Sequence, residues 1–321
     1  MADVNVAGQL DEIEKRIMAG LKDFQRATVN RIDELYRAGQ MRVLVSDEVG
    51  LGKTLIARGT IAKLAKLQKE SGDKLVKVVY VCSNASIAEQ NLNKLRITSE
   101  LKTESTSSSR LSMQHLNIFR QENDTELLNR YIQLIPLTPD TSFRMTSGAG
   151  IVSERALMYA ILRRMPELSM YRKALEVAMA DKAVGQWDGW ARDWYETQVK
   201  ECDKTSGGKY LAYMLDKLSV ELNMRADEDN TVLDMIISMC KQIRSNRYKQ
   251  QNNNAVIGKL RVIFAKISLD KLEPDLVIMD EFQRFKYLIN SDSDTETGML
   301  ANKFFNSSKV RMLLLSATPY K

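Results

Sequence analysis

Apolar positions along this chain recur in two rhythms. In the first forty residues the spacing is helical: Ile13, Ile17, Leu21 and Phe24 lie four, four and three apart, and Val29, Ile32, Leu35 and Tyr36 form a second series. The rhythm then changes to a short run, Arg42-Val-Leu-Val-Ser46, rich in β-branched residues and followed at once by a glycine-bearing turn. That pattern predicts a buried strand feeding a loop. Helical spacing returns over Leu55–Lys69 and stops at Ser71-Gly72. A second strand is predicted over Leu75–Cys82 and a second helix over Ala85–Leu95. Strand, loop, helix, strand, helix is the order of a parallel sheet covered by helices.

Beyond this the pattern shifts. Residues 99–109 are polar and rich in Ser and Thr, and read as a loop. From Glu154 to Tyr248 the spacing is almost wholly helical, and Gln250-Gln-Asn-Asn-Asn254 reads as a short polar loop. Strand signals reappear at Asp275–Met279 and Val310–Leu315. The expected architecture is an α/β domain formed by residues 41–150 and 256–321, preceded by helices in 1–40 and interrupted by a helical insertion at 151–255.

Composition excludes several classes. Hydrophobic residues make up 44% and charged residues 27%, the balance of a folded globular chain. No apolar run approaches the roughly 18 residues of a membrane span. The start, MADVNVAGQLDEIEKR, lacks the basic and apolar stretches of a signal peptide, so a cytoplasmic protein is expected. Three scattered cysteines (Cys82, Cys202, Cys240) and one histidine (His115) argue against a disulfide framework, a zinc site or histidine-based nucleophilic chemistry. The net charge of +6 forms no basic arm: it divides into +3 (21 minus 18), +1 (16 minus 15) and +2 (10 minus 8) over residues 1–150, 151–255 and 256–321. Charge alone therefore does not decide for a nucleic acid.

Three segments carry candidate chemistry. Asp47-Glu-Val-Gly-Leu-Gly-Lys-Thr54 lies between a predicted strand and a predicted helix. Small residues let successive backbone N–H groups surround phosphate oxygens, a lysine reaches the terminal phosphates, and a hydroxyl ligates Mg²⁺. Gly50, Gly52, Lys53 and Thr54 supply these parts, and the helix that follows directs its positive end at the phosphates. Asp47, Glu48, Val49 and Leu51 complete the candidate ATP loop, with Asp47 standing where the usual phosphate-loop pattern has glycine. Second, Asp275-Leu-Val-Ile-Met-Asp-Glu-Phe-Gln283 delivers two carboxylates at the end of a buried strand. In a parallel sheet that end faces the ligand. Asp280 suits Mg²⁺, and Glu281 suits activation of a water. Third, Leu313-Leu-Leu-Ser-Ala-Thr-Pro319 ends a strand in two hydroxyls, Ser316 and Thr318, placed to hydrogen-bond the acidic segment.

Together these segments resemble superfamily 2 helicases and translocases, and the Asp47 form of the loop resembles the Swi/Snf-type variant. The resemblance implies a RecA-like parallel sheet and the cofactors ATP and Mg²⁺. It places an adenine-reading glutamine at Gln25 and makes the acidic segment a DExQ box. Gln283, Ser316 and Thr318 would then couple hydrolysis to movement. Val79–Ser86, followed by Glu89-Gln-Asn91, resembles a strand–loop motif that touches the nucleic-acid backbone, which implies contacts from Ser83 and Asn84, and from Thr138 further on. Leu137–Phe143 with Gly148-Ala-Gly150 and Glu154-Arg155 resembles helicase-like ATPases of bacterial restriction and anti-phage defence systems. The expected partners are double-stranded DNA, a second RecA-like domain in cis or in trans whose motifs are not among these 321 residues, and a nuclease or defence subunit.

One feature qualifies that reading. Thr54 and Asp280 are 226 positions apart (280 minus 54), where a compact α/β domain needs about 100, so on the order of 100 residues are inserted. The competing class is a nucleotide-gated interaction module whose helical insertion recruits a partner. In the insertion, Trp187, Trp190 and Trp194 fall at spacings of three and four and read as a core stripe rather than a base-stacking face. Lys241, Arg244, Arg247 and Lys249 form a basic patch at a helix end, where cations are favoured in any case. His115 is expected at the surface or with its hydrogen bonds satisfied, and Cys82 as a small core residue.

Overall fold

The computed structural model spans the chain and describes residues 2–48, 50–72, 75–83, 85–102, 110–142, 149–226, 229–245, 250–285, 296–305 and 310–317. The chain divides into two compact units: residues 1–109, 121–143 and 272–321 form one, and residues 110–120 and 144–271 the other.

The first unit begins with α1 (Ala2–Ala19) and α2 (Asp23–Arg37), then β1 (Arg42–Ser46), α3 (Lys53–Glu70), β2 (Val76–Val81) and α4 (Ala85–Leu95). After α5 (Gln114–Glu122), most of which belongs to the other unit, comes β3 (Ile132–Leu137). The remaining strands are β4 (Leu276–Asp280) and β5 (Arg311–Ser316). All pair in parallel in the order β1-β5-β4-β2-β3, the sheet of a RecA-like α/β fold. Strands β2 and β3 are buried along their whole length and β4 over its first four residues, which is why they read as continuous apolar runs. Edge strand β1 alternates, with Val43 and Val45 buried and Leu44 exposed.

Helices α1 and α2 pack on α3. Gly59 of α3 makes this approach possible: a Cβ there would lie 2.9 Å from Val29 Cγ2. Lys66 bridges Asp11 and Glu14 across the same face, and Lys63 reaches Glu14 and Asp33.

Strand β3 has no counterpart in the sequence reading. Pro136 weakens the strand signal, because proline cannot donate to a ladder, yet β3 sits at the sheet edge, where one side needs no partner.

The second unit is helical: α6 (Val152–Leu162), α7 (Arg172–Ala180), α8 (Arg192–Thr205), α9 (Lys209–Leu222), α10 (Val232–Arg244) and α11 (Gln250–Leu272). Its bounds differ from the expected 151–255, because the polar run at 250–254 is not a loop but the opening of the 23-residue α11. Asn253 explains how a polar run enters a core helix: it is fully buried, and its amide donates to the Ala178 carbonyl at 3.0 Å.

The tryptophan stripe also differs. Only Trp187 is in the core, with its indole 3.4 Å from Glu176 Oε1, while Trp190 and Trp194 are about half exposed. Residues Trp187–Ala191 form a π turn. Its i→i+5 bonding adds a residue per turn and rotates the later tryptophans off the core face.

His115 is fully buried in the helical unit, not at the surface. Its Nδ1 lies 3.0 Å from the Tyr210 hydroxyl, while Nε2 has no hydrogen-bond partner among the described residues. Burial lowers its pKa to about 3, opposed in part by a hydrogen bond to the Ser112 backbone. Cys82 is buried and in no disulfide, a small core residue as expected. Lys241 and Arg244 are exposed; Arg247 and Lys249 lie outside the described residues.

Candidate nucleotide site

Parallel pairing brings every strand's carboxyl end to one edge of the sheet, and the registers fix which residues meet there. Ser46 pairs with Ser316, Asp280 with Leu315, and Val81 with Met279. The turns that leave β1, β5, β4, β2 and β3 therefore share this edge, and with them the phosphate loop, the acidic turn, Ser83 and Thr138. The Asp47 amide donates to the Ser316 carbonyl at 3.3 Å, extending the ladder one step into the phosphate loop. Strand β4 is two places from β1, roughly 10 Å at the usual strand spacing, so β5 separates the loop from the carboxylates.

Within the loop, Gly50 and Gly52 have φ of +92° and +79°, the left-handed region open to glycine at little cost. Gly52 precedes α3 directly and no side chain caps that helix. The first N–H groups of an 18-residue helix thus remain to face an anion. Lys53 and Thr54 are half-buried. The Lys53 ammonium donates to the carbonyls of Asp47 and Glu48 at 2.9 and 3.1 Å, which holds its charge inside the curl of the loop. Leu51 is exposed, and Val49 lies outside the described residues.

Gln25 arrives from α2 and is buried against the loop. Its Oε1 accepts the Lys22 N–H at 3.0 Å, closing the N-terminal turn of α2, and its Nε2 donates to the Leu51 carbonyl at 2.9 Å. A Cβ at Gly52 would meet that Nε2 at 2.6 Å, a second reason for glycine there. One amide hydrogen of Gln25 remains beyond the Leu51 contact.

At the end of β4, Asp280 is half-buried and Glu281 has φ +52°, a left-handed conformation costly for a residue with a side chain. Such strain redirects the chain, and a short 3₁₀ turn, Phe282–Phe285, follows. The Gln283 amide donates to the Glu281 carboxylate, and the Gln283 carbonyl oxygen is buried without a donor among the described residues. Ser316 is buried at the end of β5; Thr318 lies outside the described residues. Ser83 accepts a 3.3 Å hydrogen bond from Arg284, Thr138 is buried beyond β3, and Asn84 lies outside the described residues.

Three further residues enter here: Tyr80 and Asn91, which the sequence reading placed only within a strand–loop motif resembling a nucleic-acid contact, and Arg284, to which it gave no role. The Tyr80 hydroxyl donates to Asp280 Oδ2 at 2.6 Å, and Asn91 Nδ2 donates to the Tyr80 oxygen at 2.7 Å. Burial, and then the carboxylate beside it, push the Tyr80 hydroxyl well above its ordinary range, so it remains a donor. Only the strand register reveals this contact: Tyr80 pairs with Ile278, and the two-residue period of a strand puts Asp280 on the same face.

The donor set suits Mg²⁺. Thr54 and Asp280 offer a hydroxyl and a carboxylate, both hard oxygen ligands, and no described group of three or more His, Cys, Asp or Glu gathers to hold a metal by itself. Mg²⁺ is commonly held by one or two carboxylates with substrate phosphates and water completing the shell.

Residues 19–135 match the family described as the type III restriction enzyme, res subunit. The matched span runs from the end of α1 into β3 and includes Gln25, the phosphate loop and Ser83, but neither β4 nor β5. No curated protein and no solved structure matches the chain. With the five-stranded parallel sheet, this similarity indicates a helicase-like ATP-binding domain in the chain.

Proposed function

We propose that the chain is the ATP-binding half of a nucleic-acid-dependent ATPase, a translocase on duplex DNA of the Swi/Snf type, with Asp280 and Thr54 holding Mg²⁺. The observation that carries this reading is the meeting, at one sheet edge, of a left-handed glycine loop centred on Lys53 and a strained turn presenting Asp280 and Glu281.

Lys53 swings from the loop carbonyls to the terminal phosphates, and the opening N–H groups of α3 bind their oxygens. Bound Mg²⁺ supplies charge neutralisation at the phosphates. Glu281 orients the attacking water and accepts its proton. Gln25 uses its remaining amide hydrogen on the adenine edge while bracing the loop. Gln283, already bonded to Glu281, couples the state of the phosphates to Ser316 and Thr318, while Ser83, Asn84 and Thr138 supply nucleic-acid contacts.

ATP turnover of the protein, joined to a second RecA-like domain and measured with and without duplex DNA, tests this. Stimulation by DNA that is lost in both Lys53→Ala and Glu281→Gln is the expected result; unchanged turnover in both variants overturns the site.

One observation favours a second reading, a nucleotide-gated interaction module: Trp190 and Trp194 expose apolar surface on the helical unit. Contiguous exposed apolar patches mark contact surfaces. Partner capture that depends on ATP but not on DNA would favour this module over the motor.

A further inference from the structure

A carboxylate that ligates a metal must present one oxygen in a fixed direction, yet the terminal torsion of aspartate is broad and soft. Something else has to set it. At Asp280 the described residues engage a single oxygen, Oδ2, which accepts the Tyr80 hydroxyl at 2.6 Å and lies 3.4 Å from Asn91 Nδ2. Oδ1 accepts no hydrogen bond from them. The Tyr80 hydroxyl is itself held, because Asn91 donates to it at 2.7 Å. The order is therefore Asn91 to Tyr80 to Asp280, running from α4 through β2 to the end of β4.

Tyr80 is 2% exposed and belongs to a strand buried along its length, so its ring has one place to be. Asn91 belongs to α4, the helix that starts just after Ser83. The same β2–α4 connection meets the acidic turn a second time, where Arg284 donates to Ser83 at 3.3 Å.

We propose that Tyr80 and Asn91 are positioning residues for the metal: they hold Asp280 Oδ2 so that Oδ1 faces the Mg²⁺ position, and they tie that orientation to α4. This rests on the assignment of Asp280 as the metal carboxylate. Hydrogen-bond partners that orient a ligand commonly carry a 10- to 100-fold share of metal affinity. Because Asn91 donates to the Tyr80 oxygen at 2.7 Å and reaches Asp280 Oδ2 itself only at 3.4 Å, the two residues act mainly in series, and their effects should fall short of additive.

The test is the Mg²⁺ dependence of binding of a fluorescent ATP analogue, methylanthraniloyl-ATP, to the full chain and its Tyr80→Phe, Asn91→Ala, double and Asp280→Asn variants. Tyr80→Phe keeps the ring, and so the packing, while removing the donor. It is expected to raise the half-saturating Mg²⁺ concentration about tenfold and to leave nucleotide affinity in EDTA unchanged. Asn91→Ala should raise it less, and the double variant should resemble Tyr80→Phe. A Mg²⁺ midpoint within twofold of the unmodified chain in Tyr80→Phe, while Asp280→Asn loses its Mg²⁺ response, overturns the positioning role alone. A fully retained Mg²⁺ response in Asp280→Asn overturns the metal assignment and the positioning role together. Equal loss of affinity with and without Mg²⁺ in Tyr80→Phe marks a packing defect and also overturns the proposal.

Discussion

In the sheet unit the consequential polar side chains gather at the carboxyl edge of the sheet, Lys53 and Asp280 half-buried and Gln25 buried, each held by only one or two close hydrogen bonds. Lys53 lies on two carbonyls, Gln25 on a carbonyl and an N–H, and Asp280 on a single hydroxyl at close range. In the helical unit the polar side chains lie within the core. Glu154 and Arg261, 1% and 2% exposed, meet at 2.9 Å, and Ser112 donates to the other Glu154 oxygen. Arg110 approaches at 3.7 Å, and Gly150 lies over the pair with φ +68°. A Cβ at Gly150 would come within 2.3 Å of Glu154 Oε2, so the pair and the glycine require one another. The difference separates two uses of buried polarity. Groups whose bonds can be exchanged for a ligand's serve a site, whereas groups fully bonded to one another fix a packing arrangement. Gly150, Glu154 and Arg155 resemble a defence-ATPase stretch by sequence, yet Glu154 and Gly150 are bound into this internal network.

Substitutions in the two units should therefore fail in opposite ways. Lys53→Ala is expected to lower ATP turnover by at least about 100-fold while leaving the unfolding midpoint nearly unchanged, since only loop carbonyls lose a donor. A large loss of stability in this variant would erase the distinction. Glu154→Ala should do the reverse: breaking the buried Glu154–Arg261 pair costs about 3–5 kcal/mol, with nucleotide binding retained. Gly150→Ala should act in the same direction. Tryptophan fluorescence isolates this effect, because Trp187, Trp190 and Trp194 are the chain's three tryptophans and all lie in the helical unit.

Acid should also act on the helical unit through His115. Its folded pKa of about 3 lies below the unfolded 6.5, so between these values the unfolded chain binds the extra proton. This group's contribution is complete above pH 6.5 and falls as pH drops toward 3, by up to about 1.4 kcal/mol per pH unit. Denaturation of His115→Asn across that range should show a shallower pH dependence than the unmodified chain; parallel curves would remove His115 from the account. The smallest effect is expected at Thr231, which caps α10 by accepting the Asp234 N–H at 3.1 Å while the Asp234 carboxylate accepts the Thr231 N–H at 3.0 Å. Thr231→Ala should cost about 1 kcal/mol in the same denaturation assay.

Local signals made much of the sheet unit legible. The apolar runs of β1, β2, β4 and β5, the glycines of the phosphate loop and the carboxylates after β4 each declare themselves within a few residues. What stayed hidden depends on context beyond that window. Pro136 counts against a strand until β3 is known to lie at an edge. The polar run at 250–254 reads as a loop until Asn253 finds the Ala178 carbonyl. Even spacing of three tryptophans suggests one face until a π turn separates them. Tyr80 and Asn91 meet Asp280 only through strand register and the placement of α4, and spacing along the chain carries neither.

The central claim is that the loop around Lys53 is a nucleotide site. Calorimetric titration of ATP with Mg²⁺ into this chain and its Lys53→Ala variant tests it most directly. Saturable binding by the unmodified chain, weakened at least tenfold in the variant at an unchanged unfolding midpoint, is the predicted result. Equal binding by both proteins, or none by the folded unmodified chain, would contradict it.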